Sequence, residues 1–465
     1  MGISPLSMTG TGLAGTQWAK IRLWRQGKRS TMGPIGKVRA VSSTISFTAI
    51  DRSAGIPMAT TTPLKQGRLR IPLLKSPSHL GHFTSRVNRM YNEDKYSANV
   101  LELPGEKTVF NFNIFDGHGG DQCSTYLSKE LSAGIENASS LIEPGEEGDS
   151  KRDELAKTYW KTIGGYWKRW YKHKDENFKN MSDASTAWSL AKIADIKNDL
   201  PYRLPLAFLK TDYDFFLQDD NHSGSTCTSA LIETIYSEPG AFQPVYENYY
   251  FNRKTISMLT IAHVGDTSAI LVDRTGKAHT LTPSHHPSNP VEAARLRKYA
   301  ANFFMTDSFG EERFVSLANT RAFGDVNFKQ MGVTAEPDIT QLVIGDAQTI
   351  QSEMTPEEIK QHTIGGLGGD ESFLILCTDG VTDAITDQEI ADIVMVHFNM
   401  KGLQTGTPQL CAEEVIRFVE YVGGDDNATC LVIRLNGWGK WAVSDRTGEL
   451  RQARLVDFNP RTRGG

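Results

Sequence analysis

Residues 115–120 read FDGHGG: an apolar run, 108–115, ends directly on Asp116, and glycines flank His118. An ionised carboxylate at the end of a buried strand is costly unless something pairs with it. The arrangement recurs. Asp266 follows IAHVG (261–265), and Asp379 and Asp383 stand in ILCTDGVTD (375–383). Asp425 and Asp426 precede ATCLVI (428–433), and Glu93 and Asp94 close RMYNED (89–94) ahead of a further run. Side chains at strand ends can converge on one edge of a sheet. Carboxylates gathered there without cations would repel strongly, and a divalent cation in their midst is the simplest remedy. Every candidate ligand is an oxygen donor, with no Cys or paired His, which selects Mg2+ or Mn2+ over zinc. Gly117 and Gly380 let the backbone approach closely, so a glycine carbonyl can serve too. Each Asp-Gly alone also reads as a hairpin turn, so these residues leave the metal site as one of two options.

The elements that must position these acids are legible. TVFNFNIF (108–115), with period-two alternation, and KTISMLTIAHV (254–264) read as strands, as do the branched runs SFLILC (372–377) and ATCLVIRL (428–435). Asn289 caps PVEAARLRKYA, with Pro290 in its first turn, and TDQE (386–389) is a capping box ahead of IADIVMVHF. Cys123, Tyr126, Leu127 and Leu131 share one face of a helix after the opening motif. Residues 139–205 form a polar, helical interruption, in which Tyr159, Ile163, Tyr166 and Trp170 are spaced to pack a helix onto the body. Residues 346–371 read as a mobile surface loop around a short helix, and 437–465 as an extension beyond the last strand.

Composition narrows the function. The chain has 465 residues, 39% apolar and 23% charged, a globular balance. No run approaches the roughly 20 apolar residues of a membrane helix. A net charge of −5 gives no footprint for nucleic acid. The five cysteines include no C-x-x-C, which argues against a disulfide scaffold and suits a reducing interior. Residues 1–75 look poorly ordered. The first 50 hold seven Lys/Arg, twelve Ser/Thr and no acid, with Trp18, Ile21 and Trp24 at three-residue spacing. That composition reads as a mitochondrial transit peptide, against an ordinary tail of a cytoplasmic protein or a true start at Met58.

In order, the chain reads RMYNED (89–94), FDGHGG (115–120), SGSTCTSALI (223–232), AHVGDTSAIL (262–271), HHPSNPVEAARL (285–296), LANTRAFGD (317–325), AEPDI (335–339), CTDGVTD (377–383) and DDNAT (425–429). This series resembles the metal-dependent protein phosphatase family, protein phosphatase 2C type, over roughly residues 80–435. The resemblance implies an α+β fold over 76–436: a central sandwich of two antiparallel sheets flanked by helices on both faces, with two metal ions, and a weaker third, at one edge. It implies that Asp116 bridges both metals, that the Gly117 carbonyl binds one, and that Asp379 and Asp426 complete the first. Glu93, with Asp94 behind it through water, would serve the second, and Asp266 and Asp383 match the weaker third-metal acids. Arg89 matches the residue that clamps the substrate phosphate, and His118 the general acid.

The implied reaction is hydrolysis of phosphoserine or phosphothreonine on a protein substrate by a metal-bridging hydroxide, in a monomer. Two ions lower the pKa of a shared water, a guanidinium fork offsets phosphoryl charge, and a histidine gives the departing oxygen its proton. Within the family, a transit peptide resembles the fungal and animal enzymes that act on mitochondrial proteins, including the pyruvate dehydrogenase complex. The chain departs from the family where GDTSA lacks the Arg often found after Gly265-Asp266, and Arg321 and Asp325 are read as scaffold and substrate-side residues. The alternatives are a pseudophosphatase scaffold, whose mark would be a lost metal ligand, and a haloacid-type phosphatase, whose D-x-D is absent from FDGHG.

Overall fold

Alternation along residues 107–115 builds two layers at once. Phe110, Phe112 and Ile114 point into the space between two sheets, while Val109 and Phe115 point outward under helices. Asn111 and Asn113 share that outward face, yet both are fully buried. Their amides bond each other and the hydroxyls of Ser97, Ser132 and Ser229, so no polar atom of the ladder is stranded.

The computed structural model describes residues 20–22, 41–50, 66–105, 107–143, 145–165, 188–190, 192–196, 199–238, 249–300, 304–306, 312–315 and 317–457. Ten strands form the sandwich: β1 (Leu80–Ser85), β2 (Lys95–Leu103), β3 (Lys107–Phe115), β4 (Cys227–Ser237), β5 (Thr255–Val264), β6 (Ser268–Val272), β7 (Ala278–Thr280), β8 (Asp338–Gly345), β9 (Phe373–Cys377) and β10 (Ala428–Arg434). One five-stranded sheet runs β8-β5-β4-β3-β2 and the other β7-β6-β9-β10-β1, all pairs antiparallel. Helices α1 (Gln122–Asn137), α2 (Glu146–Thr162) and α3 (Leu200–Phe216) belong to the first sheet's outer side, where Leu127, Leu131, Leu204 and Phe208 cover it. Helices α4 (Asp387–Lys401) and α5 (Pro408–Tyr421) cover the second, through Ile390, Val394, Val415 and Val419. This is the expected α+β sandwich.

Register explains why the acids meet. Lys95 pairs with Phe115, Cys227 with Val264 and Cys377 with Cys430. The ends of β3, β5 and β9 and the starts of β2, β4 and β10 therefore lie at one edge. The expected caps also form: Asn289 accepts from Val291 N–H at 3.0 Å, and Thr386 and Glu389 make the capping box of α4.

Several expectations need correction. Residues 346–371 are not a loop: they hold helices Ala347–Glu353 and Pro356–His362. Asp346 and a Thr355–Glu358 capping box start them, and Ile350 and Met354 pack on Ile256, Met258 and Val343. Residues 437–457 are part of the body. Trp438 and Trp441 are buried against Phe373 and Phe398, and helix α6 (Gly448–Asp457) is tied to α4 by the Arg454–Glu389 ion pair at 2.7 Å. Upstream of residue 76, Ser42 bridges to Val100, Leu73 lies in the core, and strands Thr44–Ile50 and Gln66–Pro72 pair. Most of residues 1–65, including Trp18 and Trp24, lie outside the described residues, as do Tyr166, Trp167 and Trp170. Tyr159 and Ile163 do pack the inserted helix onto the body, against Leu209.

Candidate active site

The strand ends bring Asp116, Asp266 and Asp379 together: one carboxylate oxygen from each lies within 4.8 Å of the others. Asp116 follows β3, where its N–H reaches Thr226 Oγ1 at 3.3 Å and its carbonyl accepts Thr226 N–H at 2.9 Å. Asp379 opens a single helical turn after β9, and Asp266 sits on the tight turn between β5 and β6.

Electrostatics mark the crowding. Burial, then repulsion from Asp379, Asp94 and Asp266, holds the Asp116 carboxyl well above the usual range. Burial and Asp379 push Asp266 up to about 7, partly countered by Asn319 and His118. Asp379 is raised by burial and by Asp426. Asp116 and Asp379 bring carboxylate oxygens within 4.8 Å of each other, and burial together with this crowding favours a proton on the pair when no cation is between them.

The remaining expected residues ring this group without joining it. Asp94 is buried, and its Oδ2 accepts from Thr429 Oγ1 at 2.6 Å and Thr378 Oγ1 at 3.0 Å. Burial pushes it up to about 7 against those bonds. Glu93 turns its Oε1 to the Gly120 N–H at 2.7 Å. Asp426 faces Arg89, Oδ2 to Nη2 at 2.8 Å, an exposed pair at the mouth of the site. Asp383 is exposed one turn beyond Asp379 and close enough to raise Asp266. Gly117 needs to be glycine: a Cβ there would stand 2.6 Å from the Glu93 carbonyl and 2.7 Å from Ser124 Oγ.

At the site, the buried oxygens Asp94 Oδ1 and Asp266 Oδ1 have no hydrogen-bond partner among the described residues. Orphaned acceptors beside a cluster of acids are what a hard cation would satisfy, and an all-oxygen donor set suits Mg2+ or Mn2+. The residues present fit such ions.

His118 lies on a short strand, Gly117–His118, that pairs with Gly224–Ser225, which pairs in turn with Phe323–Gly324. Its Nε2 is 2.8 Å from Asp325 Oδ2. Burial opposes a charged imidazole, but Asp325, Asp266 and Glu93 outweigh it and raise the His118 pKa. Asp325 lines a cavity of about 230 Å3 together with Phe216, His222, Asn327 and Phe328.

A sequence model of the protein phosphatase 2C family matches residues 173–351 and 354–428. Protein phosphatase 2C homolog 4 of Schizosaccharomyces pombe is 33% identical over 402 residues, 84% of this chain and 89% of that protein. The chain belongs to the protein phosphatase 2C family. It is a protein serine/threonine phosphatase. Xenopus laevis "Protein phosphatase 1K, mitochondrial" is 32% identical over 188 residues, 40% of this chain and 42% of that protein. Rabbit protein phosphatase 1A is 24% identical over 351 residues, 74% of this chain and 67% of that protein. Among the described residues of the phosphatase, no helix is long and apolar enough to cross a membrane.

Sequence reasoning missed the supporting residues of this phosphatase. Asp325, expected on the substrate side, is the partner of His118. Asn427 pins the Arg89–Glu93 loop, accepting Glu93 N–H at 2.8 Å and donating to the Tyr91 carbonyl at 2.9 Å. Thr378 and Thr429 hold Asp94. All four lie inside quoted motifs, so their places were visible but not their contacts. Arg321 is scaffold, as read: it pairs with Glu292 and Asp338, each at 2.7 Å.

Proposed function

We propose that this phosphatase is catalytically active and metal-dependent. It takes two Mg2+ or Mn2+ ions, with a weaker third, and acts on phosphoserine and phosphothreonine in proteins. The observation that carries this reading is the Asp116–Asp266–Asp379 group, with oxygens within 4.8 Å of one another. Asp116, Asp379 and Asp266 would hold the ions, with Asp426, Glu93 and the Gly117 carbonyl completing the set and Asp94 and Asp383 further out. Ions bound there would supply an acidified water and offset charge on the phosphoryl oxygens.

The chain's own residues do the rest. Arg89 leaves its exposed pairing with Asp426 at little cost and presents its fork to the phosphate. His118 gives a proton to the departing serine or threonine oxygen, which would otherwise leave as an alkoxide. In a protonated imidazole both nitrogens donate. Nε2 is turned to Asp325, which leaves Nδ1–H for the substrate. The test is hydrolysis of a phosphothreonine peptide with and without Mn2+, in wild type and Asp379→Asn. Mn2+-dependent turnover that the substitution abolishes supports the reading, and a wild-type protein inert with Mn2+ refutes it.

The reading extends to mitochondrial phosphoproteins, the pyruvate dehydrogenase complex among them. Its support is the basic, acid-free composition of residues 1–50 and the printed name of the Xenopus relative. Fluorescence of the chain with and without residues 1–57 tests the compartment. Purified enzyme that leaves phosphorylated pyruvate dehydrogenase untouched, while cleaving a generic phosphopeptide, removes that substrate.

A further inference from the structure

We propose that Asp325 is the positioning residue of His118 and that Tyr159, on the inserted helix α2, holds Asp325 in place through Asp212. The proposal rests on reading His118 as the general acid.

Asp325 needs holding. Its backbone is left-handed, φ 49° and ψ 40°, a conformation uncommon outside glycine, though aspartate and asparagine enter it most easily. Asp325 also lines a cavity of about 230 Å3, so packing does not fill all the space around it. What fixes the segment is a buried chain of contacts. The Tyr159 hydroxyl donates to Asp212 Oδ2 at 2.7 Å. Asp212 Oδ1 accepts the Gly324 N–H at 2.8 Å, so the residue preceding Asp325 is anchored directly. Lys329, buried like Asp212, pairs with it at 2.8 Å and donates to the Ala322 carbonyl at 2.7 Å, which ties down the other side of the turn.

A second contact joins the insertion to the same turn. Past the end of α2 the chain runs so close to Lys329 that a Cβ at Gly165 would stand 2.3 Å from its carbonyl oxygen. Gly224, on the strand between His118 and Gly324, has no room for a side chain either: a Cβ would lie 2.3 Å from His118 Nε2 and 2.5 Å from Asp325 Oδ2. The inserted helix is therefore wired to the site, and its aromatic residue does more than pack.

Leaving-group chemistry tests this. A peptide threonine leaves only with a proton, whereas p-nitrophenolate leaves without one, so damage to the general acid shows on the first substrate alone. In Tyr159→Phe we expect kcat on a phosphothreonine peptide to fall about 3- to 10-fold with KM unchanged, and kcat on p-nitrophenyl phosphate to change less than about twofold. Asp325→Asn, whose new residue accepts the left-handed backbone, should lower the peptide kcat about 100-fold. His118→Gln is the control. If it shows the substrate split while Tyr159→Phe and Asp325→Asn do not, the positioning proposal is overturned and the general-acid reading stands. If His118→Gln slows both substrates equally, that reading falls and takes the proposal with it. A lower melting temperature in Tyr159→Phe without the split marks a purely structural hydroxyl and also overturns it.

Discussion

Replacing Asp379 by Asn should make the metal-free phosphatase more stable while abolishing its metal-dependent activity. Three carboxylate oxygens lie within 4.8 Å of one another. At an effective dielectric near 20, a pair of charges 4.8 Å apart repels by about 3.5 kcal/mol, and a closer pair by more. Losing Asp379 removes two of the three repulsions, about 7 kcal/mol or more if every group were ionised. The native cluster escapes part of this by holding protons: burial raises Asp116 and Asp379, and burial with Asp379 pushes Asp266 up to about 7. The carboxamide can still donate to Asp116. We expect a net gain of about 2–3 kcal/mol at about pH 8, a rise in Tm of about 3–6 °C.

The pH dependence follows from the sign of the shifts. These carboxyls have folded pKa values raised above their unfolded ones. Their penalty is absent below the unfolded value, about 4, and grows as pH rises through about 7. The advantage of the variant should therefore vanish near about pH 4.5 and be largest near about pH 8. Calorimetry in EDTA and in Mn2+ measures it, and Mn2+ should raise the wild-type Tm more than that of the variant. A variant less stable than wild type in EDTA at about pH 8, or an advantage indifferent to pH, would refute the electrostatic argument.

Arg89→Ala should raise KM for a phosphopeptide and lower kcat, while melting within about 1 °C of wild type, because the Arg89–Asp426 pair is exposed and contributes little to stability. Glu292 is held at about 2 because Arg321 and Arg295 outweigh the effect of its burial. Its stabilisation is present above the unfolded pKa and lost as pH falls from about 4.5 to about 2; Glu292→Gln should cost about 3 kcal/mol at neutral pH and flatten that part of the acid melting curve. Trp441 packs its ring 4.9 Å from Phe398 and 5.5 Å from Phe373, so Trp441→Ala should cost about 3–5 kcal/mol in denaturant titration. Deleting 437–465 should leave no cooperatively folding protein.

What the amino-acid order determined by itself is everything carried by local pattern. Period-two alternation marked β3, branched runs marked β9 and β10, and capping residues marked the starts of α4 and the helix Pro290–Ala300, because burial and orphan N–H groups act over a few residues. The strand-end acids were visible for the same reason, and their convergence followed once register put those ends on one edge. The tertiary structure alone decided which side chains face each other there. Asp266 joins the tight group, while Asp426, expected in it, turns to Arg89. His118 finds its partner 207 residues away in Asp325, and Tyr159 reaches the same turn through Asp212. Nor could alternation show that Asn111 and Asn113 lie beneath a helix rather than in water. Such pairings depend on long-range register and on space left by neighbouring side chains, which no window of a few residues contains.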